Sequence, residues 1–414
     1  MTRVNSMLIK AAICVLLGGA LVTAQPQDWS QWRGAARDAI VRGFTSPPAW
    51  PERPKQVWKV AAGTGHSSPV VSGDRVFLFS RLARQEAMTA YALASGKQIW
   101  RQAYDAPYRM NPSATGHGEG PKSTPAVDRG RIFSLGIGGV LSAFDAGTGT
   151  VLWRHDFTKE FKATSPDFGA SMSPLVDGEH VIAHVGGPGE GAIIAFNASD
   201  GARRWTWKGD APAYASPVIA TFGGARHLIT QTQSNIVGLD PATGRELWRT
   251  GFTTDSDQNI VTPVAAGDLL IYGGLSKPTT AARVAQAGGA WVLKEVWRNA
   301  GVPQYMSSPV AAGGVLYGFT HRNRGQFFAL ALASGRTLWT SPPRQGDNAA
   351  ITAAADLLIA TTTEGALVIL RQGTQAYAPV RSYTVAEGPI WAHPAFAGRG
   401  VLIKDAESLS YWTF

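Results

Sequence analysis

The chain has 414 residues, a formal net charge of +9, one cysteine and 14 tryptophans. A single cysteine excludes an internal disulfide framework and a thiolate metal cluster. The positive charge is scattered, with Ala202-Arg203-Arg204 and Arg322-Asn323-Arg324 as its densest groups, and no basic stripe with interleaved aromatics marks nucleic acid as a partner.

Arg3 and Lys10 flank the start of an apolar run from Ala11 to Val22, which ends in Val22-Thr23-Ala24. The pattern predicts a secretory signal over residues 1–24, cut before Gln25. The run is too short to predict a membrane span. Cys14 lies inside it, so the expected exported chain, residues 25–414, holds no cysteine. Its expected location is the periplasm or the medium.

Residues 25–53 read as an N-terminal strap, and residues 54–60 as a strand that carries Trp58. Two phrases then alternate along the rest of the chain. The first is a hydroxyl residue before proline: Ser68-Pro69, Thr124-Pro125, Ser173-Pro174, Ser216-Pro217, Thr262-Pro263 and Ser308-Pro309. Thr352-Ala353 and His393-Pro394 read as degenerate copies. Each opens an apolar run, a turn such as Ser72-Gly73-Asp74, and a second apolar run. Gly and Asp in such turns supply the left-handed backbone of a tight hairpin.

The second phrase ends in Trp100, Trp153, Trp205, Trp248 and Trp339, each with a glycine four residues earlier: Gly96, Gly149, Gly201, Gly244 and Gly335. Trp58 and Trp297 read as copies without the glycine, and Tyr383 replaces Trp in the last. A repeat of roughly 40–55 residues predicts an array. Four short strands per unit predict an all-β, eight-bladed β-propeller. The final unit lacks an outer strand, and residues 54–60 are expected to supply it, so that no sheet edge stays open. A closed ring of this kind needs no second copy, and a monomer is expected. The Trp and Gly series is expected to dock blade on blade and to do no chemistry.

Ligand or partner contact is expected at one mouth of the central channel. The residue three or four before each proline, or the matching position in the eroded seventh unit, should line it: His66, Lys122, Ser171, Tyr214, Asn259, Tyr305, Asn348 and Trp391. They differ from blade to blade, unlike the structural repeat. His66, His117 and Glu119 were the best metal or acid–base grouping, but two of them sit on one loop and supply too few fixed ligands. No nucleophile elbow, zinc helix, phosphate loop or EF-hand loop occurs. Neither a catalytic residue nor a metal ligand is assigned.

The Trp phrase resembles the tryptophan-docking motif of the PQQ (pyrroloquinoline quinone)-like propeller repeats. Trp29-Ser30-Gln31-Trp32-Arg33-Gly34 resembles the opening of secreted bacterial members. Gly118-Glu119-Gly120-Pro121-Lys122-Ser123-Thr124-Pro125, followed by Gly136-Ile137-Gly138-Gly139-Val140-Leu141, is similar to theirs. The resemblance spans residues 25–414. Its superfamily holds both quinoprotein dehydrogenases and non-enzymatic scaffolds, so it implies fold more than function. The dehydrogenase branch implies PQQ and calcium at the axis, Glu and Asn metal ligands, a catalytic Asp and an adjacent-cysteine disulfide. The cysteine pair is missing here. The branch similar to the outer-membrane assembly lipoprotein BamB implies a scaffold without cofactor, although the expected lipid-anchor cysteine is absent. The expectation is an exported, non-catalytic propeller that binds a protein, peptide or saccharide. The alternative is a PQQ-dependent alcohol or sugar dehydrogenase with a reduced active site.

Overall fold

A computed structural model describes residues 28–414. The signal expected over residues 1–24 lies outside the described residues. Short strands separated by glycine turns form eight sheets, seven antiparallel and of four strands, the eighth with a fifth strand added in parallel. The sheets are the blades of a β-propeller. Blade 1 holds Val70–Ser72, Arg75–Leu82, Gln85–Ala92 and Gln98–Asp105, from the axis outwards. Blade 8 takes its inner three strands from the C-terminus, the last being Ser408–Thr413, and its outer strand, Lys55–Ala61, from near the N-terminus. Lys55 pairs with Thr413 and Ala61 with Ser408, which closes the ring.

All eight outer strands carry a register shift at the same place. In blade 2, Val151 faces Phe144 and Trp153 faces Ala143, so Leu152 is skipped. A bulge of this kind turns the following side chain out of the ordinary alternation. It also accounts for large apolar residues in water: Val57, Ile99, Leu152 and Val296 are exposed, and each is the skipped residue of its strand. The next residue, a Trp, is thereby swung onto the neighbouring blade.

There it meets the turn glycine. A Cβ on Gly96, Gly149, Gly201, Gly244 or Gly335 would stand 2.4–2.8 Å from the ring of Trp58, Trp100, Trp153, Trp205 or Trp297 respectively. Each of these glycines also has positive φ, a region costly for other residues. The indole N–H then reaches a turn carbonyl: Trp58 to Leu93, Trp100 to Ala146, Trp153 to Ala198, Trp205 to Pro241, Trp297 to Leu332 and Trp339 to Gly373. Asp145 and Asp240 hold their turns by accepting the N–H groups of Thr148 and Thr243.

Two members of the series behave differently. Trp248 does not bond the next blade; its indole donates to His227 Nδ1 of its own blade at 2.9 Å. Blade 5 has no glycine four residues before Trp297 and instead extends a long hairpin, Lys277–Ala287 with Ala290–Asn299, that turns at Gly288-Gly289, away from Trp248. Trp291 of that hairpin packs edge-on against His227. In blade 7 the residue after the bulge is Arg381, because Val380 is the one skipped. Tyr383 lies two residues further on, and its hydroxyl donates to Pro51.

Candidate binding site at the channel mouth

The hydroxyl–proline phrases meet at the axis. The backbone N–H of Ser68 donates to Thr124 Oγ1, Thr124 to Ser173 Oγ, Ser173 to Ser216 Oγ, Ser216 to Thr262 Oγ1 and Thr262 to Ser308 Oγ, all at 3.0–3.1 Å. His393 N–H donates back to Ser68 Oγ. This ring explains why a small hydroxyl residue recurs before each proline: it satisfies a buried donor of the preceding blade. Blade 7 breaks it. Its inner strand is Ala349–Ala354, with the hairpin pair Ala354 and Leu357. By alignment with the Ala312–Val315 pair of blade 6, Ala350 holds the ring position. Thr352 is therefore two residues out of register as a copy of the phrase, and its hydroxyl is buried without a partner.

Above the ring lies a cavity of about 360 Å³, within the usual size of small-ligand sites. His66, Lys122, Ser171, Tyr214, Tyr305, Asn348 and Trp391 all line it. Asn259 does not. It is fully buried, and its amide donates to the carbonyls of Thr232 and Phe252 and accepts from Thr254. It ties the loop before blade 5 to blade 4, and its carbonyl accepts the N–H groups of Tyr214 and Ala215.

Other segments contribute side chains that repeat analysis did not assign. Phe168, Gln258 and Met306 come from loops of blades 3, 5 and 6. Ser113, Ala114 and His117 come from a short 3-10 segment, Pro112–His117, in the long loop between blades 1 and 2. His117 packs against Trp391 and His66, with ring centroids 4.8 and 5.7 Å apart. Glu119 is not with them. It pairs with Arg81 and lines a separate pocket.

The largest addition is Trp32. The segment from Trp29 to Val41 crosses the channel beneath the mouth. The carbonyls of Trp29, Ser30 and Ala39 accept N–H groups of Val71, Val127 and Ala353, on blades 1, 2 and 7. Ile40–Val41 then runs parallel to the inner strand of blade 7. Arg33 donates to Pro309 on blade 6, and Arg37 to Ser173 and Pro174 on blade 3. Between the two guanidinium groups, 5.5 and 5.8 Å from its centroid, the Trp32 ring forms the floor and meets His393.

The electrostatics of the site are one-sided. Among the described residues no Asp or Glu lines the cavity. Burial lowers Lys122 to about 8, and Arg33 and Arg37 to about 10 and 9, so all three stay cationic at neutral pH. Burial, with nearby cations adding to it, lowers His66 and His393 to about 3 and keeps both neutral. Among the described residues the Nε2 of His66 and Nδ1 of His393 are buried without partners. Tyr214 accepts the N–H of Phe168, and burial raises its phenol. Tyr305 donates to Gln258.

A calcium ion asks for six to eight oxygen ligands, carboxylates prominent among them. The cavity wall supplies no carboxylate, and among the described residues no group of three or more His, Cys, Asp or Glu is placed to hold a metal. The residues present do not fit that ion.

A family model described as outer membrane protein assembly factor BamB matches residues 84–341. A curated BamB of Shewanella oneidensis is 25% identical over 230 residues, 52% of this chain and 56% of that protein. For BamB of Burkholderia pseudomallei the identity is 24% over 340 residues, 71% of this chain and 84% of that one. The chain thus spans little over half the length of the first of these relatives. Among solved structures, a europium-containing methanol dehydrogenase superposes with a TM-score of 0.70 at 14% identity, covering 94% of this chain and 99% of that one. That likeness speaks for the propeller alone.

Proposed function

The chain belongs to the BamB family of PQQ-like repeat propellers, and from that premise we propose that it is a non-catalytic scaffold for outer-membrane protein assembly. On this reading residues 25–414 are exported, remain in the cell envelope as a monomer and dock a protein or peptide at the channel mouth. The observation that carries the reading is the composition of the mouth. Aromatic and hydroxyl side chains from different blades converge there. No nucleophile–base pair or carboxylate cage accompanies them, as acid–base or metal chemistry would need. Half-buried Tyr214, Tyr305 and Trp391 are of the types that dominate binding energy at protein contacts. A saccharide would also suit aromatic walls, but the family relation favours a protein.

The test is genetic. Deleting the gene should lower the abundance of outer-membrane β-barrel proteins, and the wild-type gene should restore it. A triple variant, Tyr214→Ala with Tyr305→Ala and Trp391→Ala, should melt as a folded protein yet fail to restore them. Unchanged barrel proteins in the deletion strain, or full rescue by the triple variant, would sink the proposal.

A further inference from the structure

The cavity is rich in hydrogen-bond donors and poor in negative charge. Lys122 gives one proton to Phe168 O at 2.6 Å, and no other acceptor engages its ammonium among the described residues. The hydroxyls of Ser68, Thr124, Ser216 and Ser308 each accept one backbone N–H. Their own O–H protons are unspent among the described residues, and all four face the cavity. Under the floor, Arg33 and Arg37 are 1% and 4% exposed. Among the described residues Arg33 Nε and Nη1 and Arg37 Nε have no partner. Asp167 and Asp257 act on Tyr214 from outside the lining, and Asp257 accepts a bond from Gln233.

Asp38 is the carboxylate that acts on Arg33, and it is also held by Arg42 and the Ile40 N–H. The ammonium of Lys122 donates only to a carbonyl among the described residues, and a buried cation is costly unless paired and hydrogen-bonded. A ring of convergent O–H donors under a lysine recognises acceptors, not donors. We infer that the mouth is an oxyanion receptor, holding a carboxylate or phosphate group between Lys122 and the free hydroxyls of the ring, above Trp32. The inference rests on the cavity being the contact site and names the group that enters it. Tyr214, Phe168 and Trp391 would then flank the apolar body behind that group.

Three probes separate the possibilities: N-acetylphenylalanine, its primary amide, and inorganic phosphate. Each is titrated into the purified protein at constant ionic strength set with chloride, followed by calorimetry and tryptophan fluorescence. The acid should bind at least about tenfold tighter than the isosteric amide, the ratio expected when one charge-assisted bond is lost. Lys122→Gln should erase the ratio and Lys122→Arg should keep most of it, with unchanged melting curves as the control for folding. Tight acid with weak phosphate assigns an organic carboxylate such as a peptide's, and the reverse assigns a bare phosphate; both support an oxyanion site. Equal binding of acid and amide, an acid preference that survives Lys122→Gln, or no saturable binding of either anion would overturn the inference. The first of these would leave the scaffold reading standing, since barrel-protein abundance tests that reading separately.

Discussion

The outer belt and the inner channel of this propeller are both built by repetition, yet they use it for opposite ends. In the belt, one device recurs: a bulge, an indole and a turn glycine on the next blade. It buries apolar area and satisfies one N–H, and its exceptions at Trp248 and Arg381 are repaired locally by His227 and Tyr383. In the channel, the hydroxyl ring repeats, but the layer above it does not, and the segment beneath it brings two buried cations. Repetition at the rim of a blade holds the ring together. Departure from repetition at the axis is where recognition becomes possible.

The belt should be the more damaging to break. Trp153 lies among Phe133, His155 and Phe196, and Trp153→Ala should cost about 3–5 kcal/mol, as for large aromatic truncations. A shift in urea midpoint at unchanged slope would measure it; a shift below about 1 kcal/mol would show that the neighbouring blade closes over the gap.

The channel should show instead in acid. His66 and His393 are held near 3 in the fold, against 6.5 in the unfolded chain. Below pH 6.5 the unfolded state therefore takes up protons that the folded state refuses, and stability falls as pH drops towards 3. Each histidine contributes about 1.4 kcal/mol per pH unit, so moving from pH 7 to pH 5 should cost about 4 kcal/mol in all. Urea unfolding at the two pH values checks this, with a His66→Asn, His393→Asn double variant expected to flatten the drop. An equal drop in both proteins would assign it to other groups.

The smallest effect separates the two halves of the ring itself. Ser216→Ala leaves the buried N–H of Ser173 without its acceptor and should cost about 1–3 kcal/mol. Ala350→Ser places a hydroxyl at a buried ring position where blade 7 has none, and should change stability by no more than about 1 kcal/mol, the net worth of one hydrogen bond. If thermal unfolding ranks them the other way, the ring is not what orders the inner strands.

The belt was open to sequence reading because each of its parts has one geometric job, which only Trp or Gly fills. Trp248 shows the limit: its phrase is complete, but its behaviour depends on the next unit, whose lack of a glycine four residues before Trp297 was the available signal. At the mouth, seven of the eight expected positions line the cavity. The eighth, Asn259, fails because a polar loop residue reads the same whether it faces solvent or satisfies buried carbonyls. Trp32 was invisible as a floor residue. Its position follows from a strap that threads the channel and touches blades far away in sequence, so no local period reports it. The register slip at Thr352 has a plainer origin: once Ser-Pro became Ala350-Ile351, the nearest hydroxyl drew the alignment to itself.

Ring closure joins Lys55–Ala61 to the last six strand residues of the chain, Ser408–Thr413. The strap before it is gripped by blades 1, 2, 3, 6 and 7 together. The outer strand of blade 8 therefore depends on a segment more than three hundred residues away in sequence. A chain cut short by a dozen residues loses both Ser408–Thr413 and its hold on Lys55–Ala61, leaving two sheet edges bare to proteases. The two halves of blade 8 thus lend each other their order, and the latch that seals the ring is only as firm as the pairing of Lys55–Ala61 with Ser408–Thr413.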